Sequence, residues 1–191
     1  MTERIHRDDS YALDFEATVV ETREHEGQPA VVLDRTAFYA ESGGQPWDSG
    51  TLGDARVVAV IEKDGVVLHV LDHPLPEGPV EGHVDADRRR DHLQQHHGQH
   101  LLSQAFVEIA DAPTIGFHLG AEVTTIDLDR PVSEAQVRAA ETRANEVVWE
   151  ARPVRVRIVS ADEARDLGAH PPEGVEHDIR LVEAEGFDLQ P

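Results

Sequence analysis

The 191-residue sequence contains no cysteine, so neither a disulfide nor a thiolate metal site can form within it. Basic charge is scarce as well. Lys63 is the single lysine, and 17 Lys+Arg against 38 Asp+Glu leave a net charge of −21 at pH 7 with histidine neutral. Such a chain repels nucleic acid on average, because phosphate binding depends on Lys and Arg displacing counterions. This weighs against a general nucleic-acid coat protein, but not against contact through a local basic patch. No run approaches the roughly 20 consecutive apolar residues of a membrane helix. Residues Met1 to Asp9 hold no apolar core of the kind a secretory signal needs. The expectation is a cytoplasmic protein with no membrane and no disulfide partner. Apolar residues make up only 39% and aromatics 5%, yet they recur periodically, which argues against disorder.

What is present divides into two halves. Residues 1–85 are expected to be β-rich, with strands at Phe15–Val20, Ala30–Leu33, Arg56–Ile61 and Val66–Leu71. Asp64-Gly65 marks a hairpin turn, and the proline-containing stretch from Asp72 to Pro79 is expected to be an exit loop. Residues 86–191 are expected to be α+β, with long helices packed on a small antiparallel sheet. One helix is expected over Asp87–Ala110, where Leu93, Leu101, Leu102, Ala105, Phe106 and Ile109 suit one apolar face. Capping-box patterns at Ser133/Gln136 and Ser160/Glu163 open two more helices, the first running to about Glu150 and the second ending near Gly168. Strands are expected at Glu122–Asp127, Val154–Val159 and Asp178–Glu183.

Twelve histidines are present, and four of them fall in the segment Asp91–Ser103. Histidines four apart on a helix lie one turn above each other, about 5–6 Å between Cβ atoms, so both can reach one Zn²⁺. His92/His96 and His96/His100 both satisfy this spacing. His97 stands where the metalloprotease pattern H-E-x-x-H requires glutamate, which excludes that chemistry. Gly98 admits two readings, room for a close approach or a tolerated surface glycine. A second cluster, Thr36 to Gly50, carries Gly43, Gly44 and Gln45 in a tight loop flanked by aromatics. No Gly-Lys-Ser/Thr follows, so it is not a phosphate-binding P-loop. Arg88, Arg89 and Arg90 open the histidine helix, and arginine clusters suit phosphates.

In order along the chain, Leu33–Tyr39 with Ser42–Pro46 and Gly50, then Gln95–Ser103, Phe117–Gly120, Ala144–Glu146 and Ile179–Asp188 together resemble the free-standing alanyl-tRNA editing proteins. These are relatives of the editing region of alanyl-tRNA synthetase. The resemblance covers nearly the whole chain. It implies an N-terminal β-barrel-like subdomain (residues 1–85, with the glycine-rich motif) followed by a metal-dependent editing domain (residues 86–191). It implies hydrolysis of the ester that joins a wrong amino acid, serine and also glycine, to alanine tRNA. It picks His96 and His100 as zinc ligands and leaves His92 as a neighbour. The remaining ligands would come from a C-x-x-x-H motif, which would follow Pro191.

Gln99 and His118 are the candidates for the pocket that contacts the serine hydroxyl. A polar contact is needed there, since shape alone separates serine from alanine weakly. Arg88, Arg89, Arg90 and Arg180 are the candidate tRNA contacts. No carboxylate is assigned as general base. The competing reading from another class is a non-catalytic tRNA-binding module of the same fold. The editing domain of threonyl-tRNA synthetase shares the histidine core, but the loop at Gly43–Gly50 favours the alanyl type.

Overall fold

Apolar residues alternating with polar ones make strands of the first half, because one strand face packs inward while the other meets water. The computed structural model describes residues 2–120, 122–171 and 174–191, in two compact units. The first unit comprises Met1–Gln94 with His118–Val123, and the second comprises Gln95–Phe117 with Thr124–Pro191.

The first unit holds β1 (Glu3–Arg4), α1 (Ile5–Asp8), β2 (Asp14–His25), β3 (Gln28–Leu33), β4 (Arg35–Thr36), β5 (Gly50–Leu52), β6 (Ala55–Lys63), β7 (Val66–Leu71) and β8 (Gly78–Val84). Six of these strands close on themselves in the order β2-β3-β7-β6-β5-β8, each pair antiparallel. Val19, Val31, Leu33, Phe38, Leu52 and Leu71 fill the interior. The turn between β6 and β7 has Asp64 at φ 53° and Gly65 at φ 75°. Positive φ at both central residues is the geometry whose twist matches that of the two strands.

The stretch expected to be an exit loop ends sooner than its composition suggests. Gly78 and Pro79 already belong to β8. Pro79 stands opposite Thr18 of β2, ahead of the part of β8 (Gly82–Val84) that also pairs β5. Its missing N–H therefore interrupts no second ladder. Gly50 is needed where β5 meets β8. Its φ is 154°, and a Cβ there would lie 2.1 Å from the His83 carbonyl oxygen.

Helix α2 (Ala86–Ala110) begins two residues after β8 ends, and the compact units divide within it, at Gln94. Asp85 opens the helix, its Oδ1 accepting from the N–H of Asp87 and of Arg88 at 3.1 Å each.

The second unit continues with β9 (Thr114–Leu119, its last two residues counted with the first unit), β10 (Thr124–Leu128), α3 (Glu134–Trp149), β11 (Val154–Val159), α4 (Ala161–Asp166), β12 (Ile179–Ala184) and β13 (Asp188–Gln190). Strands β11-β12-β13 form an antiparallel sheet, and β9 pairs with β10. Both capping boxes are made, at Ser133/Gln136 and at Ser160/Glu163. Leu101, Ala105, Phe106, Ala140, Val147, Ala184 and Phe187 form the main core of this unit. A smaller cluster joins α4 to β12 through Ala161, Ala164, Ile179 and Leu181. The apolar face expected on α2 is narrower than its sequence suggests, since Ile109 is exposed. β11 lies at the sheet edge with Val154, Val156 and Ile158 exposed, while Arg155 and Arg157 pair with Glu185 and Glu183.

The described residues thus form a mixed α/β protein with a small antiparallel sheet. Among them, no helix is long and apolar enough to cross a membrane.

Candidate functional site

The glycine-rich cluster is a hairpin of its own. Its tip, Ser42-Gly43-Gly44-Gln45, is closed by Ser42 N–H to Gln45 C=O (3.2 Å) and Gln45 N–H to Ser42 C=O (2.9 Å). Gly43 and Gly44 sit at φ 55° and 78°, a backbone that side chains other than glycine adopt at a cost. Tyr39 buttresses the tip through its hydroxyl, 2.6 Å from Ser42 Oγ. The Leu119 N–H donates to the Gly44 carbonyl at 2.9 Å. That bond brings His118 to the tip. Ser42, Gly43, Gly44, Gln45, His118 and Leu119 line a cavity of about 380 Å³. His118 is exposed there, and Gln45 is buried.

The base of the same loop is held by charge. Asp48 N–H donates to Tyr39 C=O (3.1 Å), and Tyr39 N–H donates to Asp48 Oδ2 (2.7 Å). Arg89 of α2 then grips Asp48 Oδ2 at 2.6 Å. Asp48 and Arg89 are both buried, at 0% and 4% side-chain exposure. This corrects the reading of Arg89 as a tRNA contact, because its guanidinium is spent inside the protein. Arg88 is half-buried and donates from Nε to the Trp47 carbonyl at 3.0 Å, whereas Arg90 is exposed. His92 is buried in the same unit.

In the second unit, His96 and His100 lie one turn apart on α2 with ring centroids 5.1 Å apart and planes only 14° from parallel. The ring of Phe117 packs on His96 at 5.5 Å. Burial pushes both imidazoles down to about 4. His100, His97 and Arg180 add to the effect on His96, and His97 adds to that on His100. Both rings are therefore neutral at pH 7, the form that donates a lone pair to a metal. Arg180, on β12, stands within electrostatic reach of His96. His97 interacts electrostatically with Asp188, whose carboxyl burial holds above the usual range.

Gln99 is tied down by its surroundings. Its Nε2 donates to Ser103 Oγ at 2.7 Å, and Ser103 Oγ lies 2.6 Å from Thr114 Oγ1 of β9. Gly98 is exposed, and a Cβ there would meet nothing within 4 Å. Among the described residues, no backbone from another element approaches it.

As a metal site, the described residues supply two good donors. No group of three or more His, Cys, Asp or Glu side chains gathers to hold an ion among them. Zinc binds four ligands in structural sites and three plus a water or substrate in catalytic ones. The pair thus fits as part of such a donor set.

Known proteins resemble this chain over most of its length. Residues 8–88 match the family of class II (A) tRNA synthetases. The chain is 36% identical over 198 residues to the alanyl-tRNA editing protein Aarsd1 of Bos taurus, covering 94% of this chain and 45% of that protein. It is 33% identical over 162 residues to the alanyl-tRNA editing protein AlaX-L of Pyrococcus horikoshii, covering 81% and 40%. It is 36% identical over 203 residues to the alanine–tRNA ligase of Methanopyrus kandleri, covering 99% of this chain and 22% of the ligase. Over most of its own length the chain is thus similar to alanyl-tRNA editing proteins and to part of an alanine–tRNA ligase. It spans less than half the length of these relatives.

Sequence reasoning found the histidine pair and the glycine loop but missed Asp48, Ser103, Thr114 and Asp188. A signal for Asp48 exists. An aspartate three residues after the Gln45 of a glycine-rich turn is well placed to bond the loop's own backbone.

Proposed function

We propose that this chain carries the editing site of a deacylase that hydrolyses the ester of Ser-tRNA, and also of Gly-tRNA, on alanine tRNA in the cytoplasm. The observation that carries the reading is the stacked, neutral His96/His100 pair, in a chain 36% identical to an alanyl-tRNA editing protein. These two imidazoles would hold a zinc ion together with donors from a C-x-x-x-H segment. Bound zinc supplies a Lewis acid and a site for water at the ester.

The chain's own residues do the rest of the work. Phe117 and the burial around His96 keep the imidazoles unprotonated and ready to donate. Gln99, fixed by Ser103, offers a polar group to the serine hydroxyl, and correctly charged alanine lacks that hydroxyl. In the first unit, His118 presents a polar group of its own beside the glycine-rich tip. Arg88, Arg90 and Arg180 remain as the tRNA phosphate contacts.

The test uses the full-length protein. Zinc content and Ser-tRNA deacylation are measured for the wild type and for the double variant His96→Ala/His100→Ala. The expected result is about one zinc per chain and rapid hydrolysis in the wild type, with both lost in a variant that keeps its far-ultraviolet circular dichroism. A zinc-free wild type that binds tRNA and leaves the ester intact would establish the binding module in place of the hydrolase.

A further inference from the structure

The buried ion pair in the first unit does more than its charge requires. Arg89 carries five N–H groups, and the structure finds acceptors for each of its three nitrogens. Nε faces Asp48 Oδ1 and Oδ2 at 3.3 and 3.2 Å. One terminal nitrogen donates to the Ser10 and Ala12 carbonyls at 2.8 and 3.4 Å. The other donates to the Ala37 carbonyl and to Asp48 Oδ2, both at 2.6 Å. A single side chain thus joins the segment before β2, the strand exit at Ala37 and the far end of the glycine-rich loop. Asp48 Oδ2 also accepts the Tyr39 N–H, so both ends of the loop converge on the pair. Arg88, one residue earlier on α2, adds a bond to the Trp47 carbonyl.

Three of the acceptors are backbone carbonyls, and they determine what the arrangement is for. A charge pair needed only for stability could be replaced by packed apolar residues of similar volume. A guanidinium bonded to carbonyls from separate segments fixes the path of those segments. The path it fixes here leads to the Ser42–Gln45 tip, whose Gly44 carbonyl accepts from Leu119 and so brings His118 alongside. We propose that Arg89 and Asp48 are positioning residues for the cavity between the glycine-rich tip and His118, holding both walls in the geometry that receives the aminoacyl end of the substrate. This inference rests on the hydrolase reading for its activity readout, though not for its structural one.

Arg89→Lys keeps the charge but supplies three N–H groups from one nitrogen, so it cannot reach all the acceptors. Asp48→Asn keeps the shape and serves if the lysine variant does not fold. Val19→Ala, in the barrel wall, is the control for a general loss of stability. In the full-length protein, hydrogen exchange at the Tyr39, Gln45 and Leu119 amides is measured together with kcat and KM for Ser-tRNA.

The expected result for Arg89→Lys is at least tenfold faster exchange at those three amides. KM rises at least tenfold with kcat within threefold, as loss of ground-state positioning requires. Val19→Ala leaves KM unchanged. Equal KM values in Arg89→Lys and Val19→Ala, or unmoved loop amides in Arg89→Lys, overturn the positioning role while the wild type remains active. An inactive wild type overturns the hydrolase reading instead, and the exchange rates alone then decide the role of the pair.

Discussion

His69 gives the sharpest test of how the barrel interior is built. It lies on β7 with no exposed surface, and its Nε2 is 2.8 Å from Thr36 Oγ1, which also accepts the Phe38 N–H at 3.1 Å. The Phe38 ring packs edge-on at 5.7 Å. Burial is the main cause that pushes this imidazole from 6.5 down to about 4, with the Val31 backbone pulling weakly the other way. The folded protein therefore keeps the ring neutral in a range where the unfolded chain takes up a proton. Between pH 6.5 and pH 4 the unfolded state binds more protons, so stability falls as pH falls and the loss is complete below pH 4.

A shift of this size corresponds to about 3 kcal/mol at about 1.36 kcal/mol per pKa unit. Other groups titrate in the same window, among them His96 and His100, so the wild-type profile alone is insufficient. Comparison with His69→Leu isolates the one residue. Urea unfolding of both proteins at pH 7, 6, 5 and 4 should show the variant less stable than wild type at pH 7 by about 1 kcal/mol, for the lost hydrogen bond. At pH 4 the order should be reversed, the variant being the more stable by about 2 kcal/mol. If the difference between the two proteins moves by less than about 1 kcal/mol over this range, the ring is not held neutral by burial and the account of the barrel core is wrong.

Two further outcomes follow from the same physical reading. Gly50→Ala should lower barrel stability by about 3 kcal/mol or more, seen as a large drop in thermal midpoint, because the new methyl meets the His83 carbonyl at 2.1 Å. A normal midpoint would mean that β5 and β8 are not so closely joined. Binding of alanine tRNA should show a shallow salt dependence, with a log–log slope between about −2 and −3, as expected for three phosphate contacts. A slope steeper than about −5 would require basic residues beyond Arg88, Arg90 and Arg180.

The features visible in the sequence were those set by neighbouring residues. Asp64-Gly65 and both capping boxes are local devices, and each is made as its residues imply. Helix α2 and strand β11 were also legible, since uninterrupted helical and alternating patterns need no distant partner. What failed depended on contacts far apart in the chain. Gly78-Pro79 has the composition of a loop, and only the pairing with β2 makes it strand. Arg89 looked like one of three surface arginines because nothing in the run Arg88–Arg90 says which of them turns inward. Its partner Asp48 lies 41 residues away. In the candidate site, the histidine spacing allowed two pairs, and the resemblance favoured His96/His100. Ser103 and Thr114 could not be linked to Gln99 before β9 was seen beside α2.

The rim of the small sheet has a consequence for behaviour in concentrated solution. β11 carries Val154, Val156 and Ile158 on one side, and its backbone has β12 on one flank only among the described residues. An apolar strand with an open flank invites a second molecule to add itself. An antiparallel mate centred on Val156 would set Arg155 of one molecule against Arg157 of the other. Two such encounters per mating, between molecules each carrying −21, make self-stacking along this rim unfavourable at low ionic strength. Added salt weakens that safeguard, so the molecule's solubility depends on the buffer around it as well as on its interior.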